Sequence, residues 1–166
     1  MTIDTDKTAT LSSYSKAQKI LHWAVVILLV LQYMVFDGMG RYFNQILREG
    51  VATYNVTTTV HILIGLLVLV AAGTRLFLRK RHGVPPLPDN TDSRVARLAH
   101  GAHILIYVLL FLLPLSGMAA WFGGIEAPGA VHGALTKLLM LTVLVHVAGA
   151  LVHQFYFKDN LIRRMI

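Results

Sequence analysis

Two histidines, His132 and His146, lie fourteen residues apart in the last apolar stretch of the chain. Fourteen residues make nearly four turns of an α-helix, so both imidazoles leave the same helix face, about 21 Å apart along its axis. The hydrocarbon core of a bilayer is about 30 Å thick, and ionisable side chains at membrane depth are costly and usually functional. The spacing therefore predicts two metal centres at two depths of a membrane.

The apolar stretches that must position these histidines are long. The chain has 166 residues, 55% of them hydrophobic, which is too apolar for an ordinary soluble domain. About 20 apolar residues span a bilayer as a helix, and lipid offers no outside partner to backbone polar groups. The sequence therefore predicts an all-α integral membrane protein with one domain, residues 1–166, folded as an up-down bundle of four transmembrane helices. The predicted spans are residues 17–36, 59–78, 101–122 and 131–157, with a strap at residues 79–100.

The basic residues are distributed unevenly along the chain, which carries a net charge of +7. Twelve of the fifteen flank the ends of the chain or the strap. The positive-inside rule then predicts a multi-pass membrane protein with both termini and the strap in the cytoplasm. Contact with anionic lipid explains this charge, so no nucleic-acid partner is expected. The twelve are Lys7, Lys16, Lys19, Arg75, Arg79, Lys80, Arg81, Arg94, Arg97, Lys158, Arg163 and Arg164.

Under this topology, four histidines fall at two matching depths. His61 lies near the outer end of the second span and His132 near the outer end of the fourth. His22 lies near the inner end of the first span, at the level of His146. Two helices thus contribute to each level, as is needed to hold a flat ring between them, and neutral imidazole is a good axial ligand for haem iron. We therefore assign an outer haem to His61 and His132, and an inner haem to His22 and His146.

The chain has no cysteine, which excludes iron–sulfur ligation, thiolate zinc sites and covalent attachment of haem. Arg75 shares a face with His61 at the inner level and could contact haem propionates, or simply extend towards water from the helix end. Lys137 could contact the outer propionates or extend outward in the same way. Both residues are kept as propionate candidates.

A quinone site is expected at the inner end of the bundle. His153 lies two turns past His146 and could donate a hydrogen bond to a quinone carbonyl, with Trp23 lining the same site. The alternative is that these two residues form part of the interfacial belt of the membrane. His100 and His103 share a face at the start of the third span, where polar capping of the membrane interface is the favoured interpretation over haem ligation.

Several short motifs follow one another along nearly the whole chain: Tyr14-Ser-Lys-x-Gln-x-x-x-His-Trp, Arg75-Leu, Leu98-Ala-His-x-x-His with Ile106-Tyr, Leu113-Pro-x-x-Gly, and His146 followed by His153 and Lys158-Asp-Asn-x-x-x-Arg-Met. In this order they resemble the bacterial cytochrome b561 family. The resemblance implies four transmembrane helices in the bacterial inner membrane and two b-type haems, with axial ligands at the four histidines assigned above by depth. It also implies electron exchange with ubiquinone; one family member oxidises superoxide, and others are quinone-linked carriers.

Two functions follow from these expectations. In the first, the protein is an oxidoreductase that transfers electrons between superoxide outside and quinone inside. In the second, it is a membrane anchor that carries electrons for a periplasmic redox protein. Apolar residues within 42–51 fall on one helical face, which predicts a short helix on the membrane surface where such a partner could dock. Transport of a divalent metal is a weaker third hypothesis, because no acidic residue lies clearly inside a span.

Overall fold

The structure is a computed structural model that describes residues 13–34, 38–86 and 92–166, and throughout these ranges the chain is helical or loop, without a strand. Lys7, the predicted end of the first span at residues 35–36, and residues 87–91 of the strap lie outside the described residues. The helices are α1 (Lys16–Met34), α2 (Met39–Glu49), α3 (Val56–His82), α4 (Ser93–Gly123) and α5 (Glu126–Val152), followed by a π-helical turn (His153–Phe157) and a 3₁₀ turn (Leu161–Arg164).

Four of the helices, α1, α3, α4 and α5, are long and apolar enough to cross a membrane. The prediction of an all-α protein with four such helices is confirmed. Both α3 and α4 extend into the predicted strap, since α3 ends at His82 and α4 begins at Ser93. Hydropathy marks the part of a helix that lies in lipid, whereas the hydrogen-bonded helix continues into water through the basic residues beyond it.

The bundle is built from two antiparallel pairs, α1 with α3 and α4 with α5, which meet through α3 and α4. Its most buried positions include Ala72 on α3, Leu109 on α4 and Leu139 on α5. A small residue such as Ala72 lets helix backbones approach closely, which is the usual basis of helix association in lipid. We call the end that carries the start of α1, the C-terminus and most of the described basic residues the basic end, and the opposite end the α2 end.

The α2 helix is held against the α2 end of the bundle by contacts at glycine. A side-chain carbon at Gly129, in the first turn of α5, would collide with the ring of Phe43. The next helix is fixed by a capping box: Asn55 Oδ1 accepts from the Thr58 amide at 3.0 Å, and Thr58 Oγ1 accepts from the Asn55 amide at 2.9 Å. The short helix expected within residues 42–51 is present as α2.

A buried glutamine ties α1 to α3 at the basic end. Gln18 Oε1 accepts from the Ser15 amide at 2.9 Å, and Gln18 Nε2 donates to the Gly83 carbonyl at 3.1 Å. The Gln18 carbonyl in turn accepts from Arg75 Nη1 at 3.2 Å. These bonds satisfy polar groups that would be costly to leave unpaired, and they fix how α1 sits along α3.

Candidate functional site

Two histidines at the α2 end face each other across the bundle. His61 on α3 and His132 on α5 have ring centres 6.3 Å apart, with their planes inclined at 58°. An imidazole nitrogen binds a metal at about 2.0 Å, and its ring centre lies roughly 1 Å further on. Two imidazoles on opposite sides of one iron therefore have their centres about 6 Å apart. The separation of this pair fits bis-histidine ligation of a single haem iron.

The direction of the His132 ring is set by α4. His132 Nδ1 lies 2.9 Å from the carbonyl oxygen of Leu113 and 3.3 Å from Ser116 Oγ. A histidine that donates its Nδ1 proton to a backbone carbonyl presents Nε2 to a metal, which is the usual arrangement around ligating histidines. Gly117 makes this position possible, because a carbon added there would lie 3.1 Å from His132 Cε1.

Two glycines near the proposed ligands border open space. A side-chain carbon at Gly65, one turn after His61, would meet no atom within 4 Å, and the same is true at Gly149, three residues after His146. A flat macrocycle needs the backbone of its surrounding helices to be accessible, and glycine leaves it so. Both positions are therefore compatible with a haem beside the helix.

The histidines at the basic end are arranged differently. The His146 ring contacts that of His103, with centres 5.0 Å apart and planes at 82°. The His22 ring lies edge-on to Trp23, with centres 5.6 Å apart, and within electrostatic range of His146, His103 and Arg75. The structure thus gathers three histidines from α1, α4 and α5 at this level, where the sequence predicted two.

Three other predicted site residues already have partners within the protein. One Arg75 nitrogen is bonded to the Gln18 carbonyl. The Trp23 indole donates to the Met165 carbonyl at 3.0 Å, although its ring is 46% exposed. His153 Nδ1 lies 2.5 Å from Asp159 Oδ2, which the π-helical turn brings round to meet it.

Lys137 differs from these residues because its side chain is exposed on α5. Among the described residues, no three histidine or carboxylate side chains converge to hold a bare metal ion. Haem needs only two axial ligands from the protein.

Sequence reasoning did not predict the contact of His103 with His146 or the part played by Leu113 and Gly117. His103 belongs to the motif Leu98-Ala-His-x-x-His, so its position was noticeable. Its interpretation as an interfacial cap rested on its place at the start of the apolar stretch of the third span. With α4 starting at Ser93, His103 lies almost three turns inside the helix.

Comparison with known proteins covers nearly the whole chain. A profile of the prokaryotic cytochrome b561 family matches residues 13–166. Cytochrome b562 of Cereibacter sphaeroides is 35% identical over 153 residues, which cover 92% of this chain and 94% of that protein. Probable superoxide oxidase CybB of Yersinia pestis is 25% identical over 177 residues, covering 92% and 95%. Cytochrome b561 homolog 1 of Escherichia coli strain K12 is also 25% identical over 177 residues, covering 94% and 98%.

Proposed function

This chain belongs to the prokaryotic cytochrome b561 family, and from that premise we propose that it carries two b-type haems and transfers electrons across the bacterial inner membrane between an external donor and the quinone pool. The observation that carries the proposal is the 6.3 Å separation of the His61 and His132 ring centres. Each haem, when bound, supplies an iron that gains or loses one electron.

In this proposal, one pair of histidines would hold each haem. His61 and His132 would hold the outer haem, with His132 oriented by the Leu113 carbonyl. His22 and His146 would hold the inner haem. The side chains of the bundle would serve to hold and orient the haems and to insulate the electron path.

Arg75 and Lys137 are the proposed partners of haem propionates at the inner and outer levels. Arg75 keeps nitrogens beyond the one bonded to Gln18, since a guanidinium has five N–H donors. The exposed Lys137, with Arg41 and Arg48 on α2, supplies the positive charge that would attract an anionic donor to the α2 end.

The proposed donor is superoxide and the proposed acceptor is ubiquinone. The balanced reaction converts two superoxide ions, one quinone and two protons into two molecules of dioxygen and one quinol. Each superoxide gives up one electron at the α2 end, which faces outward if the basic end is cytoplasmic. The quinone would receive its electrons at the basic end, where Trp23 and His153 are the residues first expected to line its site.

Stopped-flow mixing of the oxidised, haem-loaded protein with superoxide, with and without decylubiquinone, tests this function. We expect rapid appearance of the reduced b-type absorption, followed by reoxidation only when quinone is present. Absence of reduction by superoxide, with reoxidation by quinone intact, would contradict superoxide as the donor while leaving quinone coupling in place.

The position of α2 favours a second candidate function. Its exposed face includes Arg41, Asn44 and Arg48, and Phe43 fixes the helix against α5. Such a helix could dock a periplasmic redox protein that delivers electrons. This anchor function predicts that the purified protein alone is inert to superoxide and is reduced only when the partner protein is added.

A further inference from the structure

Two neighbouring residues in the last turn of α1 bond to the two helices that carry the outer histidines. Gln32 Nε2 donates to the backbone carbonyl of His61 on α3 at 3.2 Å. The Tyr33 hydroxyl donates to the backbone carbonyl of Thr136 on α5 at 3.0 Å. Thr136 lies one helical turn after His132. Successive side chains leave a helix about 100° apart, so α1 reaches one helix with Gln32 and the other with Tyr33.

We propose that Gln32 and Tyr33 form a clamp that positions the proposed outer haem ligands, an inference that rests on the two-haem function proposed above. In this clamp, Gln32 is a positioning residue for His61, and Tyr33 is a positioning residue for His132. Neither side chain is itself a haem ligand. Each acts through the backbone of the helix that carries the ligand, and together they hold the two helices at one separation.

The outer ligands need such a connection because they belong to different halves of the bundle. The helix of His61, α3, pairs with α1, and the helix of His132, α5, pairs with α4. The halves meet through α3 and α4, so α1 and α4 lie on either side of the line that joins α3 to α5. From the α4 side, the Leu113 carbonyl directs the His132 ring. The bonds of Gln32 and Tyr33 fix the same pair of helices from the α1 side.

The Gln32 carboxamide is costly at its position. Its oxygen is buried and has no hydrogen-bond partner in the described part of the chain. A buried polar atom without a partner is destabilising, and polar side chains at membrane depth usually serve a function. A leucine of similar size would avoid this cost. Stability alone therefore does not account for a glutamine here.

The two backbone carbonyls do not depend on the clamp for a partner. His61 and Thr136 lie inside α3 and α5, where a carbonyl accepts from the amide four residues further on. Loss of either side-chain donor would therefore leave no buried carbonyl without a hydrogen bond. The clamp bonds accordingly serve to place the helices rather than to satisfy their backbones.

A second glutamine of α1 makes the equivalent contact at the basic end. Gln18 lies fourteen residues before Gln32, which is nearly four helical turns, so both leave the same face of α1. Gln18 Nε2 donates to the Gly83 carbonyl at 3.1 Å, just as Gln32 Nε2 donates to that of His61. The two amides attach α1 to α3 in the first and last turns of α1, and each can be replaced without the other.

The test replaces each clamp residue by one of similar shape that cannot donate, Gln32→Leu and Tyr33→Phe, in the haem-loaded protein. Release of haem to excess apomyoglobin is followed by absorption. We expect the outer haem to leave about two- to tenfold faster, the range of one hydrogen bond, and the inner haem to leave at the unmodified rate. The outer haem is identified by comparison with His132→Leu, which should lack it.

Electron paramagnetic resonance of the oxidised protein reports the geometry of the ligands directly. The low-field signal of a low-spin ferric haem with two imidazoles depends on the angle between the imidazole planes, which is 58° for His61 and His132. Either clamp variant should shift the signal of the outer haem and leave that of the inner haem in place. A general loss of stability would not shift one signal alone.

Two further variants control for the chemical change itself. Gln18→Leu makes the same replacement on the same helix at the basic end, so it should alter the inner haem and leave the outer haem unchanged. Met34→Leu changes a side chain that is 80% exposed beside Tyr33, and it should alter neither haem. The melting temperature of Gln32→Leu should stay close to that of the unmodified protein, because the leucine also removes a buried oxygen without a partner.

The outcomes separate positioning from packing. Faster release of both haems together with a lower melting temperature would mean that Gln32 and Tyr33 serve stability alone, and the proposal would be overturned. An outer haem whose release rate and resonance signal are unchanged in both variants would overturn it as well. If the unmodified protein bound fewer than two haems, the proposed function would fail before any variant is compared.

Loss of the outer haem alone from Tyr33→Phe, with the inner haem retained, would support the clamp, because that change removes a single hydroxyl group.

Discussion

His132 Nδ1 lies 2.9 Å from the carbonyl oxygen of Leu113, so the backbone of α4 directs a side chain of α5. The same stretch of α4 places Gly117 beneath the ring, 3.1 Å from His132 Cε1 when a side-chain carbon is added. Leu113 and Gly117, on either side of Pro114, therefore determine both the direction of the His132 ring and the space available to it. The proposed outer haem depends on this short segment as much as on the histidines.

Gly117→Ala should weaken the outer haem selectively. The added methyl would press on the His132 ring and turn it from the Leu113 carbonyl, and changes around a ligating histidine typically cost about 10–100-fold in metal affinity. Haem content by the pyridine haemochrome assay should fall from two towards one per chain.

Gly133→Ala is the matched control, because a carbon at that position meets no atom within 4 Å. Alanine forms helix better than glycine, so poor helix formation would not explain a loss at Gly117. Equal haem content in the two variants would contradict the positioning role of Gly117.

Replacing single histidines should remove the haems in two separate sets. His61→Leu or His132→Leu should eliminate one haem, and His22→Leu or His146→Leu the other, because an axial ligand lost from a bis-histidine site leaves the iron with one protein bond. Potentiometric titration of the b-type absorption identifies which haem is lost. Loss of both haems from any single replacement would argue against pairing by depth.

The three histidines at the basic end allow a sharper version of this experiment. His103→Gln should keep both haems if His103 only positions the His146 ring, because His22 and His146 stay in place. Loss of the same haem as in His22→Leu would make His103 a ligand in place of His22.

Gly129→Ala should loosen α2 from the bundle. The new methyl would collide with the Phe43 ring, and overpacking of this kind costs about 1–3 kcal/mol. The melting temperature in detergent should fall, and limited proteolysis at residues 38–55 should speed up. Adding Phe43→Leu to Gly129→Ala should restore part of the lost melting temperature, because the smaller side chain makes room for the methyl. If the effects of the two changes were simply additive, the contact between residues 43 and 129 would not contribute to stability.

Stability at alkaline pH should depend on Tyr14, which precedes α1. Burial raises the pKa of the Tyr14 hydroxyl above its usual value, with the nearby charge of Arg79 opposing the rise. The folded state then favours the neutral hydroxyl, so its contribution is complete below the ordinary pKa of about 10 and is lost as the pH rises through the folded pKa.

Melting temperatures measured between about pH 9 and 11 test this prediction. The unmodified protein should lose stability faster than Tyr14→Phe as the pH rises, while the same change at the exposed Tyr156 should leave the slope unaltered. Parallel curves for the unmodified protein and Tyr14→Phe would contradict a coupling between Tyr14 ionisation and folding.

The sequence was sufficient for the fold because helices in lipid are recognisable by their length and hydropathy. Depth along those helices also led to the His61 and His132 pair. It could not reveal the contact between His103 and His146, which depends on how α4 is rotated about its axis. The hydrogen bond between His132 and the Leu113 carbonyl could not be predicted either, because every residue carries a backbone carbonyl.

Gln18 has a consequence for the vertical register of the first helix. Apolar side chains facing lipid barely distinguish one sliding position of a helix from the next, and a slip of one turn would displace His22 by about 5.4 Å. The bonds from Gln18 to Gly83 and from Arg75 to Gln18 favour the observed position, because a slip of one turn would break both. Two hydrogen bonds of Gln18 at the basic end thereby determine how deep in the bundle the His22 imidazole lies.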